Sequence, residues 1–292
     1  MLLRTSTSAT KRLCRRVLGR RLLSSEPTDV RLDLPAGNNG VATITLDSPK
    51  TRNALSLDIL NQLKTAIAEV EEHVKTSVVI IQANSKDTGV FCSGHNLKEV
   101  IQTRKDRDAQ QLLFRTCSEL MSSITHSPKA VICKVDGLAT AAGCQLVASC
   151  DLAVASDRST FGTPGVNIGL FCSTPAVPIV RAVGQKRALQ MLLTGDLVDA
   201  ETAERWGLIS FSVGEGEIDA AVDTLAQKVA LKSSTAIAMG KAGFYDQLSD
   251  DLDQAYLKAS DVMVENMMEY DAGEGISAFL EKRAPVWSTA ER

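Results

Sequence analysis

Two stretches of this chain carry residue types that could do chemistry on a bound molecule. Residues 135–151 read V-D-G-L-A-T-A-A-G-C-Q-L-V-A-S-C-D, and residues 91–99 read F-C-S-G-H-N-L-K-E. In the first, a β-branched run ends at Asp136-Gly137, and the small residues Thr140, Ala141, Ala142 and Gly143 then open an apolar helical segment. The pattern predicts a buried strand, a tight turn and a helix whose first turn is those four residues. The first N–H groups of a helix have no partner within it, and the helix dipole adds partial positive charge there. Side chains this small let another molecule reach the backbone, so such an end can hold an anion or a developing oxyanion. Close helix–sheet packing selects the same small residues and is the plainer reading of this stretch taken alone. The second stretch decides between the two readings, because there a strand end again runs into a Ser93-Gly94 turn and a helix start.

The elements that must position these stretches are legible from periodicity. Residues 30–34 and 41–46 alternate or run apolar with β-branched residues on either side of Gly37-Asn38-Asn39-Gly40, which predicts a hairpin. Leu57, Leu60, Leu63, Ile67 and Val70 recur at helical spacing after Ser56 or Asp58 as the cap. Residues 77–83 (S-V-V-I-I-Q-A) are a continuous apolar run, as in a strand covered on both faces. Strand, helix, strand implies a parallel crossover, and the unit recurs at 130–148 and from 151. Successive units of one sheet place the loops after their strands along one edge. Residues 93–95 and 140–143 are thus expected to face each other across a pocket. From Ser173 onward the spacing is mostly helical (188–193, 200–206, 218–230, 235–248, 252–266 and 275–283), with one short strand at 208–213. The fold class is α/β.

Composition narrows the function. The first 25 residues hold seven of the 32 basic residues and no acid, with Leu and Val interleaved. That is the signature of a mitochondrial transit peptide; a basic nucleic-acid-binding arm is the alternative. Without that segment 25 basic residues face 35 acidic ones, a net charge of −10, which suits a phosphate backbone poorly. Aromatic content of 4% also argues against base stacking. No apolar run approaches the roughly 20 residues of a membrane span. Seven cysteines and three histidines form no metal-ligand spacing, so no metal is expected and the cysteines read as free thiols of a reducing compartment.

Taken in order, these motifs resemble the crotonase (enoyl-CoA hydratase/isomerase) superfamily. The resemblance rests on residues 91–99 and 136–151, Phe161-Gly162 with Pro164, L-T-G-D at 193–196, A-E-R-W-G-L-I at 203–209 and E-G-I-S-A-F-L-E-K-R-A-P-V-W at 274–287. It runs unbroken from about residue 30 to the C-terminus. Beyond the transit peptide expected at 1–25, it implies a spiral of ββα units over 26–215 and a C-terminal helical trimerisation region over 216–292. It also implies a homotrimer or hexamer in the mitochondrial matrix, with no permanently bound cofactor and a coenzyme A thioester as ligand. The thioester oxygen would lie between the backbone N–H groups of His95 and Ala142. Coenzyme A contacts would come from Arg52, Asn53 and Ala54, and from Lys98 and Lys282.

The departures from the family pattern concern the acids. Hydratases of this kind use two glutamates as acid and base. Their positions are held here by Gln145, which cannot trade protons, and by Gly165, which has no side chain. Asn96 and Ser173 stand at two further positions where the family places carboxylates. The expectation is therefore an acyl-CoA-binding member of fatty-acid metabolism without ordinary hydratase activity. The alternative is a catalytically silent regulator or scaffold that binds CoA esters. The His95 ring and the stretch Cys172-Ser173-Thr174 are the remaining groups that could react, and a nucleophile there would need a base within reach. Asp151 reads as a structural brace at a strand start.

Overall fold

The structure is a computed structural model that describes residues 28–35 and 40–288. The expected transit peptide and residues 36–39, expected to turn between the first two strands, lie outside these residues. Strands β1 (Val30–Asp33) and β2 (Val41–Leu46) pair antiparallel, and the chain passes into helix α1 (Leu57–Glu72). Three turns of a spiral follow, each giving one strand to a large sheet, one strand to a small sheet, and then a helical segment. The first is β3 (Val78–Ala83), β4 (Val90–Cys92), α2 (Leu97–Gln102) and α3 (Arg107–His126). The second is β5 (Ala130–Val135), β6 (Leu138–Thr140) and α4 (Ala142–Ser149). The third is β7 (Leu152–Ser156), β8 (Thr160–Gly162), a 3-10 turn at Pro164–Ile168 and α5 (Ser173–Val183). Then come α6 (Gln185–Thr194), β9 (Leu197–Asp199), α7 (Ala200–Trp206), β10 (Phe211–Val213) and the helices α8 (Ile218–Ala230), α9 (Ser234–Gln247), α10 (Leu252–Met268) and α11 (Tyr270–Glu281).

The large sheet runs β1-β2-β3-β5-β7-β10 and is parallel from β2 onward. Its central strands are apolar at most positions because both faces are covered. Val79, Ile81, Val131 and Cys133 point to a core shared with Leu60 and Leu63 of α1 and Leu120 and Ile124 of α3. Their neighbours Val78, Ile80, Ile132 and Val154 point the other way, onto Ile218, Val222 and Ala226 of α8. Period-two alternation across a strand is what sends these sets to opposite sides. The small sheet runs β4-β6-β8-β9, with its first three strands parallel.

Two local expectations are corrected. Thr140 closes strand β6 rather than opening a helix, and Ala141 is the N-cap, so α4 begins at Ala142. The last strand spans only Phe211–Val213. No motif announces α3, the longest helix, which Asp106 caps by accepting from Asp108 N–H and Ala109 N–H. Of the two candidate caps for α1, Ser56 takes the role by accepting from Ile59 N–H, and the Glu99 carboxylate accepts from Leu57 N–H at 3.1 Å.

Asp151 is the structural brace expected of it, and more. One oxygen accepts from Val131 N–H at 2.7 Å, at the head of β5. The same oxygen meets Lys241 Nζ at 2.7 Å, and the other accepts from Tyr245 O–H at 2.9 Å. Lys241 also donates to the carbonyls of Ile124 and Lys129. One buried cation thus pins α9 to the end of α3 and the start of β5.

Candidate active site

The loops at 93–95 and 140–143 pack against each other. Gly94 has φ +94°, and a Cβ placed on it would lie 2.9 Å from Ala141 Cβ, 3.1 Å from Thr140 O and 3.4 Å from Ala142 N. Gly143 is equally closed, since a Cβ there would run into the Cys92 carbonyl. Both glycines are needed because another stretch of backbone occupies the space where a side chain would go.

His95 is held by a parallel bridge to Leu55. The bridge uses Leu55 N–H to Gly94 O (2.7 Å) and Asn96 N–H to Leu55 O (3.2 Å), so it leaves the His95 N–H unused. Ala142 is the first residue of α4, and a first-turn N–H has no acceptor within its own helix. Among the described residues neither N–H meets a protein acceptor. Ala141, between them, adopts φ 50° and ψ −116°, a conformation that L-residues rarely hold. It is held by its N–H on Gly162 O and by its carbonyl, which accepts from Gln145 N–H, each at 2.9 Å. The loop after β8 is thereby tied to the same place. Two unpaired N–H groups beside one helix terminus are an arrangement that can stabilise a developing oxyanion.

The His95 ring turns onto the chain: Nδ1 lies 3.2 Å from Leu55 O, and the ring meets Phe114 edge-on at 5.1 Å. A carbonyl can only accept, so Nδ1 carries the proton and Nε2 presents a lone pair. Burial holds the imidazole below its ordinary pKa, which favours this neutral form. Three side-chain atoms are buried without a partner on these loops and on α4: His95 Nε2, Thr163 Oγ1 and Gln145 Oε1. Gln145 is 3% exposed and Thr163 is fully buried. No sequence pattern marks Thr163, since an isolated threonine before a proline is ordinary.

Gly165 is crowded as well. A Cβ on it would lie 2.6 Å from Leu170 O and 2.8 Å from Cys172 Sγ. Burial raises the Cys172 thiol above its ordinary pKa, and Ser173 Oγ donates to Phe171 O at 3.4 Å, so neither has a base to activate it. The thiols of Cys92, Cys117 and Cys144 are pushed up to about 12 by burial, as expected of packed, unreactive cysteines. No three His, Cys, Asp or Glu side chains among the described residues cluster as metal ligands.

The remaining sequence-derived residues divide in two. Asn53 is fully buried and its side chain is spent internally: Oδ1 accepts from Ser48 N–H at 2.9 Å, and Nδ2 donates to Asn84 O and Val90 O. With Arg52 it forms a left-handed pair (φ 57° and 52°) that sets the loop, and Ala54 is buried beside it. Arg52 reaches solvent, and its carbonyl accepts from Ser93 N–H, linking this loop to the glycine turn. Lys98 is exposed on α2 just past His95, where Asn96 caps the helix by accepting from Lys98 N–H. Lys282 caps the end of α11, which packs against α9 and α10, and no hydrogen bond or ion pair joins it to the converging loops. Two clefts lie elsewhere, one lined by Cys150, Asp151 and Ile209 and the other between β10 and α8.

The enoyl-CoA hydratase/isomerase family model matches residues 36–290. The chain belongs to that family. It is 49% identical over 264 residues to enoyl-CoA hydratase domain-containing protein 3, mitochondrial, of Rattus norvegicus, covering 90% of this chain and 86% of the relative. Against the Danio rerio protein of the same name it is 43% identical over 291 residues, covering 100% and 99% of the two chains. Among solved structures, human enoyl-CoA hydratase domain-containing protein 3 superposes with a TM-score of 0.84 at 46% identity, covering 89% of this chain and 100% of that one. The ββα spiral is thus the crotonase fold, and Gln145 and Gly165 are features of an enoyl-CoA hydratase/isomerase family member. No helix among the described residues is long and apolar enough to cross a membrane.

Proposed function

We propose that this protein binds acyl-CoA thioesters in the mitochondrial matrix, in fatty-acid metabolism, with the thioester oxygen between the N–H groups of His95 and Ala142. The observation that carries this reading is the pair of unpartnered N–H groups beside the Gly94–Ala142 contact. Enolate or tetrahedral chemistry at a thioester puts negative charge on that oxygen, and losing one such donor typically costs about 3–4 kcal/mol of barrier. Arg52 and Lys98, both exposed, are the side chains assigned to the coenzyme A phosphates, with Lys282 as a further one. The mitochondrial names of the relatives support the compartment. Exposed Ile168, Leu170, Phe171, Leu193 and Leu197 support assembly into a trimer or hexamer.

Hydration by a pair of carboxylates is not part of this reading, because Gln145 and Gly165 supply neither. The test is a calorimetric titration of the full chain with a panel of CoA esters, run beside a crotonyl-CoA hydration assay. The reading expects binding without appreciable hydration. Failure of every ester to bind would sink it, and robust hydration abolished by Gln145→Ala would replace it with an enzyme of another mechanism.

A further inference from the structure

We infer that the face formed by strand β10 and helix α8 receives a second copy of this chain across a two-fold axis, with Glu217 of each copy meeting Lys228 of the other. This surface is assigned independently of the acyl-CoA reading. Its basis is a groove of about 630 Å3 beside the last strand of the large sheet. Phe211 and Val213 line the groove from one face of β10 and are only half-buried. Helix α8 packs on β2, β3, β5 and β7 and leaves this edge strand partly uncovered.

One stripe of α8 lines the other side. Glu217, at its N-cap, is followed by Ala220, Ala221, Thr224, Leu225 and Lys228, the recurrence of a single helix face. The stripe is separate from Ile218, Val222 and Ala226, which pack on the sheet. Its two ends are exposed and carry opposite charges, eleven residues apart and about 16 Å along the axis. Neither end has an ion-pair partner among the described residues.

Reversed, this stripe is complementary to itself. A two-fold axis crossing α8 between Val222 and Asp223 sets Glu217 against the partner's Lys228. It also sets Ala220 against the partner's Leu225, and Ala221 against the partner's Thr224. Each end meets its opposite charge, and the small Ala220 leaves room for the facing leucine. A copy laid parallel would instead set like charges together. Self-complementarity of one patch is what a closed two-fold contact requires. A strand partner finds the edge shut. Ser212 N–H, which would receive it, already donates to the Glu204 carboxylate at 2.8 Å, and Ser212 Oγ donates to the same oxygen at 2.7 Å.

The experiment follows the mass of the full chain by sedimentation velocity over a range of concentrations. The natural protein should show an assembly step that doubles its mass. Lys228→Glu and Glu217→Lys, both on the surface, should each weaken that step by at least about tenfold, because like charges then face each other. The double variant Glu217→Lys with Lys228→Glu should bring the step back to within about threefold of the natural protein. Contacts through other faces should persist in all four proteins, so the loss reads as a halved mass. Absence of a doubling step in the natural protein would overturn the inference. So would single variants that double as readily, or a double variant that stays apart. CoA-ester affinity is scored separately, and none of these outcomes bears on it.

Discussion

The sulfur of Cys172 stands against the place where any side chain on Gly165 would begin: a Cβ there would lie 2.8 Å from Sγ and 2.6 Å from the Leu170 carbonyl. The backbone holds this closure, with Leu170 N–H on Gly165 O at 2.9 Å. The second hydratase acid is therefore excluded by packing as well as missing from the sequence. Contacts that short force displacement of backbone, not just of a flexible side chain.

The double change Gln145→Glu with Gly165→Glu is accordingly expected not to install crotonyl-CoA hydration. It should also destabilise the fold by at least about 1–3 kcal/mol, the usual cost of overpacking. Hydration followed by loss of enoyl absorbance, with urea denaturation alongside, checks both parts. Appreciable turnover would show that the 164–172 loop opens readily.

Gly94→Ala tests the contact between the two loops. The new methyl would meet Ala141 Cβ at 2.9 Å, at a φ that alanine rarely adopts. We expect a stability loss of about 1–2 kcal/mol and a fall in CoA-ester affinity of about tenfold or more. A variant that binds normally would remove the Gly94–Ala142 contact from the site.

Ala141→Gly should do the reverse for stability. Alanine at φ 50°, ψ −116° stores backbone strain that glycine does not, against which the freer unfolded chain of a glycine variant must be set. The expected net gain is up to about 1 kcal/mol by denaturant unfolding. Marked destabilisation would mean that the Ala141 methyl packs better than its backbone suffers.

Lys241→Met leaves the Asp151 carboxylate inside the protein without its cation. Breaking a buried pair typically costs about 3–5 kcal/mol, and here both side chains are largely covered, at 8% and 16% exposure. The loss should appear as a lower urea midpoint with weakened protection of α9 in hydrogen exchange. Asp151→Asn combined with Lys241→Met should recover part of it, because no lone charge remains.

The pH dependence expected from His95 follows from its lowered pKa. The unfolded chain takes up this proton near the ordinary value of 6.5, whereas the folded protein resists it because burial penalises the charged ring. Between those two pKa values the unfolded state binds more protons, so stability rises with pH. The penalty is absent above the unfolded value and grows as pH falls below 6.5 toward the lower folded one. His95→Gln should flatten that part of the stability–pH curve, measured as the difference between the two proteins. Parallel curves would show that the ring is solvated.

What the sequence determined by itself is what near neighbours decide. Apolar runs such as V-V-I-I within β3 announce strands covered on both sides, and Leu57, Leu60 and Leu63 announce a helix, because the periods of two and 3.6 are local properties. The order of these elements implies the parallel crossover, and with it the meeting of the 93–95 and 140–143 loops. The neutral residues at 145 and 165 are simply read off.

The rest depended on partners distant in the chain. Strands of three residues, such as β6 and β9, are too short to show a period and exist through their pairing with β8. The left-handed Ala141 is imposed by Gly162, and the Asp151–Lys241 pair spans 90 positions. Only the tertiary structure could decide that Cys172 closes the space at Gly165 and that Gln145 and Thr163 are buried unpaired. Crowding and desolvation belong to the packed surroundings of a residue, and its sequence neighbours do not encode them.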